Sequence, residues 1–347
     1  MRNRYLRAPT EPISVEDRKL SELLQAMLST GFQGRKLAES IETWVEMLSE
    51  EKVTIFLGLA GAMVPAGMRR IIAFLIQKRL IDVLVSTGAN LFHDCHEALG
   101  GKHYIGTSQV NDCELLKHRV DRIHDIFASE AQFRKLDFMI RDFAKKIDSQ
   151  KKYSSREFIY LLGEEIARKG GDEDSIIVSA FKHQIPIFTP ALCDSSIGIG
   201  LLLSRRNNVN IDVDQMKDLD EITQIAEQSD KTGVIYIGGG VPKNFIQQIE
   251  VIQDILDSKS GHDYAIQYTT DAPHWGGLSG ATFEEAVSWG KISKNAKKVQ
   301  VFVDATIALP IVAHALRERM TGKKRLVPVY SWGEGKSNLR YRWHVIR

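Results

Sequence analysis

Three cysteines in 347 residues, Cys95, Cys113 and Cys193, leave this chain almost without thiols. The number is odd and no CxxC spacing occurs, which excludes a disulfide scaffold and points to reduced thiols in a cytoplasmic setting. Charge of one sign is also missing. The 46 Lys/Arg against 44 Asp/Glu leave +2, too little to name an acidic or nucleic-acid partner. Long apolar runs are absent too. The longest uncharged one, Val53 to Met68, contains Pro65 and is shorter than the ~18 residues a membrane span needs. The start, Met1-Arg-Asn-Arg-Tyr-Leu-Arg7, has no apolar stretch of the kind that marks a secretory signal. Neither a Pro/Ser-rich linker nor an internal repeat is evident, and GxGxxG, Walker A, HExxH and Ser-His-Asp groupings do not occur.

What remains is the composition of an ordinary soluble globular protein, 43% hydrophobic and 26% charged. The first fifty residues read as two amphipathic helices. One stripe runs through Leu20, Leu23, Leu24, Met27 and Leu28, the other through Leu37, Ile41, Trp44, Val45 and Leu48, with Gly31 and Gly34 between them. Short apolar runs then alternate with helical segments. Strands are expected at Val53–Leu57, Ile81–Val85, Ile176–Val178, Ile185–Phe188, Val234–Ile237, Tyr264–Ile266 and Val299–Val303. Helices are expected near 66–79, 212–228, 243–257, 282–289 and 309–320, with 110–170 mostly helical up to the stop at Gly170-Gly171. Such alternation predicts an α/β fold, a Rossmann-like parallel sheet with helices on both faces. Three regions follow: an N-terminal helical extension (1–50), an α/β domain (51–320) and a basic C-terminal arm (321–347). From Arg317 to Arg347 nine Lys/Arg stand against Glu318 and Glu334, a local excess of +7, with Tyr330, Trp332, Tyr341 and Trp343 interleaved. A strand or arm packed on a partner subunit accounts for this better than nucleic-acid binding does.

The expected strands end in small or polar residues: Gly58–Gly61, Ser86–Ala89, Asp194–Ser196, Gly238–Gly240, Thr269–Asp271 and Asp304–Thr306. Parallel sheets bind ligands beyond these ends, where small residues let backbone N–H groups approach phosphates. Any one such loop is more often a plain turn; several at corresponding ends make a nucleotide site the better reading. His93-Asp-Cys-His96 with His103 suggests a metal, but adjacent Asp94 and Cys95 point to different helix faces and match no compact zinc signature. No metal is expected, and His93 stays a candidate substrate contact.

The richest segment is Thr282-Phe-Glu-Glu-Ala-Val-Ser-Trp-Gly-Lys291. A lysine is a nucleophile only when neutral, and its reference pKa near ~10.4 forbids that unless desolvation or nearby cations intervene. Trp289 offers a wall for such desolvation, while Glu284 and Glu285 suit a cationic substrate. The bland alternatives are a capping box formed by Thr282 and Glu285, a core Trp289 and a solvated Lys291.

Glu285-Ala-Val-Ser-Trp-Gly-Lys-Ile292 resembles the active-site lysine motif of deoxyhypusine synthases. The resemblance runs from about residue 28 to about 318, through Ser29–Gln33, Ile55–Gly58, Asp82–Val85, Phe188–Asp194, Ile237–Val241, Ser279–Ala281 and Asp304-Ala305. It implies an NAD-binding fold, a homotetramer with active sites at a subunit interface, and NAD-dependent transfer of an aminobutyl group from spermidine to an amine. Under it, Lys291 forms the covalent imine. Thr87, Gly88, Ala89, Asp194, Gly239, Thr270, Asp304 and Ala305 occupy NAD-contacting positions, and Glu285 and Trp289 line the polyamine channel. The chain departs from the pattern where the family has acidic residues and this sequence has Phe92, His93, Ile199 and Leu278, and where a family histidine is Asn244. Trp275-Gly-Gly-Leu-Ser-Gly280 replaces an Asp-Gly-Ser-Asp-Ser-Gly stretch. Each lost carboxylate removes an attraction for an ammonium. The resemblance therefore points to a deoxyhypusine synthase-like branch with a small-amine acceptor, as in homospermidine synthases. The alternatives are a true deoxyhypusine synthase acting on a lysine of a translation factor, a plain amine dehydrogenase, and a non-catalytic NAD- or polyamine-binding homologue.

Overall fold

The computed structural model describes residues 8–258, 261–333 and 339–346. Six strands build one sheet: β1 (Val53–Leu59), β2 (Val83–Ser86), β3 (Ile187–Phe188), β4 (Lys231–Ile237), β5 (His262–Thr269) and β6 (Ile292–Phe302). They lie in the order β6-β5-β4-β1-β2-β3, and every pairing is parallel. This is the strand order of a Rossmann sheet. The chain steps outward from β1 to β3, returns, and steps outward the other way from β4. Strand order thus reverses between β1 and β4, and the crevice beyond their carboxyl ends is where such sheets bind ligands.

The two-residue period of a strand divides the core. Ile55, Leu57 and Leu59 with Ile235 and Ile237 share one side with Trp44, Ile72, Leu309 and Leu316. Phe56, Val234 and Tyr236 share the other with Ile225, Ile246, Ile249 and Phe283. Helices Phe32–Ser49, Arg69–Gln77 and Ala305–Met320 supply the first side, Gln215–Glu227 and Gly240–Ile255 the second. Burial on both faces is why the strands read as near-continuous apolar runs. The two N-terminal helices, Leu20–Met27 and Phe32–Ser49, form as expected. Trp44, fully buried, donates its indole N–H to Leu80 O at 3.1 Å.

Ile176–Val178, expected as a strand, instead opens the helix Ile176–His183. The Asp94 carboxylate, fully buried, accepts from Ile176 N and Ile177 N at 2.9 Å each, and Ser175 Oγ accepts from Val178 N at 3.3 Å. A short run buried all round has the same pattern in both structures; here the caps decide. The stretch 110–170 is less helical than expected. Between helices Asp112–His118 and Glu130–Ala144, strands Val120–Ile123 and Ile126–Ser129 pair antiparallel with each other, and the second pairs with His103–Ile105. Strands of three or four residues are too short to show a period. The helix expected from 66 begins as a π-helical turn, Val64–Met68, and continues as Arg69–Gln77.

The C-terminal stretch folds into an antiparallel hairpin of β7 (Arg325–Trp332) and β8 (Leu339–Ile346). It docks on its own chain. Arg325 Nη1 lies 3.0 Å from buried Asp82 Oδ1, and the Tyr341 hydroxyl lies 2.6 Å from Thr54 Oγ1. Part of the basic excess therefore serves the interior, while Met1–Arg7, Glu334, Lys336 and Arg347 lie outside the described residues. No described helix is long and apolar enough to cross a membrane.

Candidate active site

A cleft of about 260 Å³ opens beyond β1 and β2, lined by Gly61, Ala62, Ser86–Asn90, His93, Ala191, Asp194 and Val241. Thr87, Gly88, Ala89, His93 and Asp194, named from sequence alone, thus meet in one place. Thr87 stands at the N-cap of helix Gly88–Ala98 but makes no side-chain cap. The first-turn N–H groups of Gly88 and Ala89 are left uncapped at the cleft wall, where the helix dipole favours an anion. Asn90, buried and missed by the sequence reading, straps the cleft: Nδ2 donates to Gly61 O at 2.7 Å and Oδ1 accepts from Val64 N at 3.2 Å. A second helix, Gly240–Ile255, starts at the carboxyl end of β4 with Gly239 at its N-cap. Any side chain there would put its Cβ 2.5 Å from Ser279 Cα, so glycine is what lets the 276–281 segment close against the loop.

One helical turn beyond Val241 lies Asn244, and there the second group begins. Helix Phe283–Ser288 is capped by Thr282, whose Oγ1 accepts from Glu285 N at 3.0 Å. The reciprocal bond of a full capping box is not made, so the Glu285 carboxylate stays free for other work. Gly290, at φ +69°, ends the helix. Lys291 N donates to Ala286 O and Gly290 N to Val287 O, both at 3.1 Å, a stop that needs a left-handed residue. The Gly of Trp-Gly-Lys is therefore a hinge that sends Lys291 straight into β6. Lys291 Nζ lies 5.2 Å from the Trp289 ring centre and 3.4 Å from Asn244 Oδ1. Burial holds this amine below the usual lysine range while Glu285 pulls it back up. Trp289 is 65% exposed, which rules out the core reading and leaves an indole face open beside the amine.

Lys243, adjacent to Asn244, is 1% exposed and was missed. Its Nζ donates to Ala281 O at 2.8 Å and to Leu278 O and Gln267 Oε1 at 3.1 Å. Desolvation, reinforced by Lys291 and opposed by Glu285 and Asp271, pushes it down to about 8. It thus anchors the 276–281 segment from below. Its position on one helix face with Ile246 and Gln247, both buried, was the available signal.

Other sequence candidates fall differently. Thr270, Asp304 and Ala305 stand at the ends of β5 and β6, outside the cleft lining. Asp304 Oδ1 accepts from Thr306 N and Thr306 Oγ1 at 2.7 Å each and so caps helix Ala305–Met320. Phe92 is buried with its ring 5.5 Å from that of Phe133, so it faces the interior, whereas Ile199 is exposed. The His93 group is a hydrogen-bonded chain: His93 Nδ1 to His103 Nε2 at 2.9 Å, His103 Nδ1 to Glu97 Oε1 at 2.6 Å. Asp94 belongs to Arg69, at 2.8 Å, and Cys95 is buried. A larger cavity, about 490 Å³, lies elsewhere, between helices Ser155–Arg168 and Ile176–His183 and the hairpin. Its lining takes in Ile187 of β3 but none of the strand-end loops, and the chemistry does not gather there.

A profile of the deoxyhypusine synthase family matches residues 22–316. The chain is 64% identical over 331 residues to "Probable deoxyhypusine synthase 2" of Methanosarcina acetivorans, covering 95% of this chain and 96% of that one. To "Probable deoxyhypusine synthase 1" of the same organism it is 41% identical over 307 residues, covering 88% and 93%. A crystal structure of "a putative deoxyhypusine synthase from Entamoeba histolytica" superposes with a TM-score of 0.62 at 21% identity, over 87% of this chain and 96% of that one. At that identity the likeness is one of fold. The family profile and the sequence relatives span most of the chain, and the protein is a member of the deoxyhypusine synthase family, whose enzymes are transferases of alkyl groups.

Proposed function

We propose that this protein moves an aminoalkyl group, such as the aminobutyl group of spermidine, to an amine acceptor by way of an imine on Lys291, with NAD as cofactor. The observation that carries this reading is the setting of Lys291. Its amine is held below the ordinary lysine range by burial, against the face of Trp289 and beside Asn244, with the uncapped Glu285 carboxylate nearby. An alkylamine is a very poor leaving group, so substitution on spermidine requires that the carbon beside the secondary nitrogen first become an imine. NAD, when bound, supplies the hydride acceptor for that oxidation and the hydride that reduces the final product.

The residues fit such a cofactor. Uncapped amides of Gly88 and Ala89 and the start of helix Gly240–Ile255 at Gly239 suit a pyrophosphate. Asp194 lies at the cleft rim, and Thr270, Asp304 and Ala305 extend the same edge of the sheet. Neutral Lys291 then attacks the imine carbon, 1,3-diaminopropane departs with its nitrogen protonated, and the aminobutyl group stays on Lys291. The acceptor amine attacks the same carbon and frees the lysine. Trp289 gives a cation–π surface for the substrate ammonium, and Glu285 gives its countercharge. A second subunit fits this picture: the single-chain cleft is smaller than the ~300–1,000 Å³ usual for ligand sites, and Trp289 is open on one side. Both are in keeping with a homotetramer whose active sites lie at a subunit interface.

A small amine is the acceptor this reading favours, because the wall of the cleft carries His93 and the lysine pocket carries Asn244, neither of them an anion. The greater identity to one of two M. acetivorans relatives supports a distinct amine choice. A protein lysine as acceptor is the second reading, favoured by the printed names of those relatives. Incubation with NAD and spermidine, plus either putrescine or the translation factor, followed by mass spectrometry of products, separates the two. Release of no 1,3-diaminopropane with either acceptor overturns both.

A further inference from the structure

Helix Gly88–Ala98 holds His93 and Glu97 one turn apart, and a residue from another element bridges them. His103, on strand His103–Ile105, sets Nδ1 2.6 Å from Glu97 Oε1 and Nε2 2.9 Å from His93 Nδ1. The surroundings hold this bridge in place. The His103 side chain is 5% exposed, and the Phe133 ring packs edge-on against His93 at 5.3 Å and His96 at 4.8 Å. Arg69 Nε, from the helix Arg69–Gln77, lies 3.8 Å from Glu97 Oε2 and steadies the carboxylate.

Chemistry gives the chain a direction. An ionised carboxylate only accepts, so His103 Nδ1 carries the hydrogen. In neutral His103 the lone pair is then on Nε2, which accepts from His93 Nδ1–H. Neutral His93 keeps its own lone pair on Nε2, on a side chain that lines the cleft. We propose that Glu97 and His103 lock His93 in the Nδ1–H tautomer, so that His93 Nε2 is an uncharged acceptor for an N–H of the bound amine and sets how much charge that amine carries. This deepens the function proposed above and rests on it.

Burial, with His103 and His96 adding to it, pushes His93 down to about 3, so the acceptor stays neutral throughout the working range. A carboxylate in its place would make charge-assisted hydrogen bonds, roughly twice as strong as neutral ones, and would reward a more highly charged amine. The neutral ring forgoes that attraction and favours an amine of lower charge.

Nitrogen-15 NMR of histidine-labelled, ligand-free protein reads the lock without any turnover. The expected spectrum has the hydrogen of His93 on Nδ1, and His103→Phe moves it to Nε2. A wild-type His93 with its hydrogen on Nε2 overturns the proposal. Steady-state kinetics read the consequence: His93→Glu lowers KM for spermidine relative to putrescine by about 10-fold, with kcat changing less than KM. An unchanged KM ratio also overturns it. If wild-type protein transfers nothing from any amine, the functional reading above falls, and the tautomer alone still decides whether the lock exists.

Discussion

The lysine pocket and the cleft wall are built from different kinds of residue, and the difference separates reaction type from substrate choice. Around Lys291 the working parts are local in sequence: a Thr282 cap, a glycine stop and an indole two residues before the amine, all within ten positions. At the cleft wall they are gathered from afar. His93 and Glu97 come from one helix, His103 from a strand of the small antiparallel sheet, Phe133 from helix Glu130–Ala144 and Arg69 from an earlier one. The first pocket has the features of a desolvated nucleophile. The second has a ring held neutral where an amine would bind, with Asp194 the one carboxylate in its described lining.

The comparison breaks most severely if the lysine is not the carrier. Lys291→Ala, which removes the nucleophile, is expected to cut transfer by more than about 1,000-fold while NAD titration by fluorescence stays within a few-fold of wild type.

The pH profile sharpens the claim. Only the neutral amine attacks, so the rate climbs with pH up to the Lys291 pKa, which burial lowers and Glu285 raises. Trp289→Ala exposes the amine, raises that pKa and moves the ascending limb to higher pH, at about 10-fold in rate per unit moved at fixed pH. Glu285→Gln moves the limb the other way. Shifts of the same sign in both variants would contradict the pocket as described.

Lys243 connects the two regions and its effect is on stability. Its ammonium is disfavoured in the fold, with a pKa of about 8 against ~10.4 in an unfolded chain. Between those values the folded state binds fewer protons, so stability rises with pH across that window and the full penalty, on the order of 3 kcal/mol, is present below it. Lys243→Met removes the titration. The difference in Tm between wild type and variant is expected to change from pH 7.5 to pH 10 in favour of wild type, and a flat difference refutes the burial argument.

Asp304 gives the smallest effect. Its capping of helix Ala305–Met320 predicts a loss of about 1 kcal/mol for Asp304→Ala and only a few tenths for Asp304→Asn, by urea denaturation.

What is written in short range is legible in the sequence. The parallel strands, the strand-end loops and the Trp-Gly-Lys stop all show as local patterns, and Thr87, Gly88, Ala89, His93 and Asp194 meet in one cleft because parallel strands end on one edge. The sequence is silent where a distant partner decides. Ile176–Val178 is a helix because the buried carboxylate of Asp94 caps it. His103 reaches His93 only because strand His103–Ile105 brings it back beside helix Gly88–Ala98. Asp304, read as a cofactor contact, also has a structural duty that its Asp-Ala-Thr spacing could have announced. Phe92, at a position that is acidic in the family, turns inward against Phe133 on a helix buried almost all round, where no periodicity marks the channel side.

The most direct test of the central claim is borohydride trapping in the presence of NAD and spermidine, followed by peptide mapping. The account predicts a stable aminobutyl adduct on the peptide that contains Lys291, absent when NAD is left out. Free NADH with no adduct, or an adduct on another lysine, would contradict it.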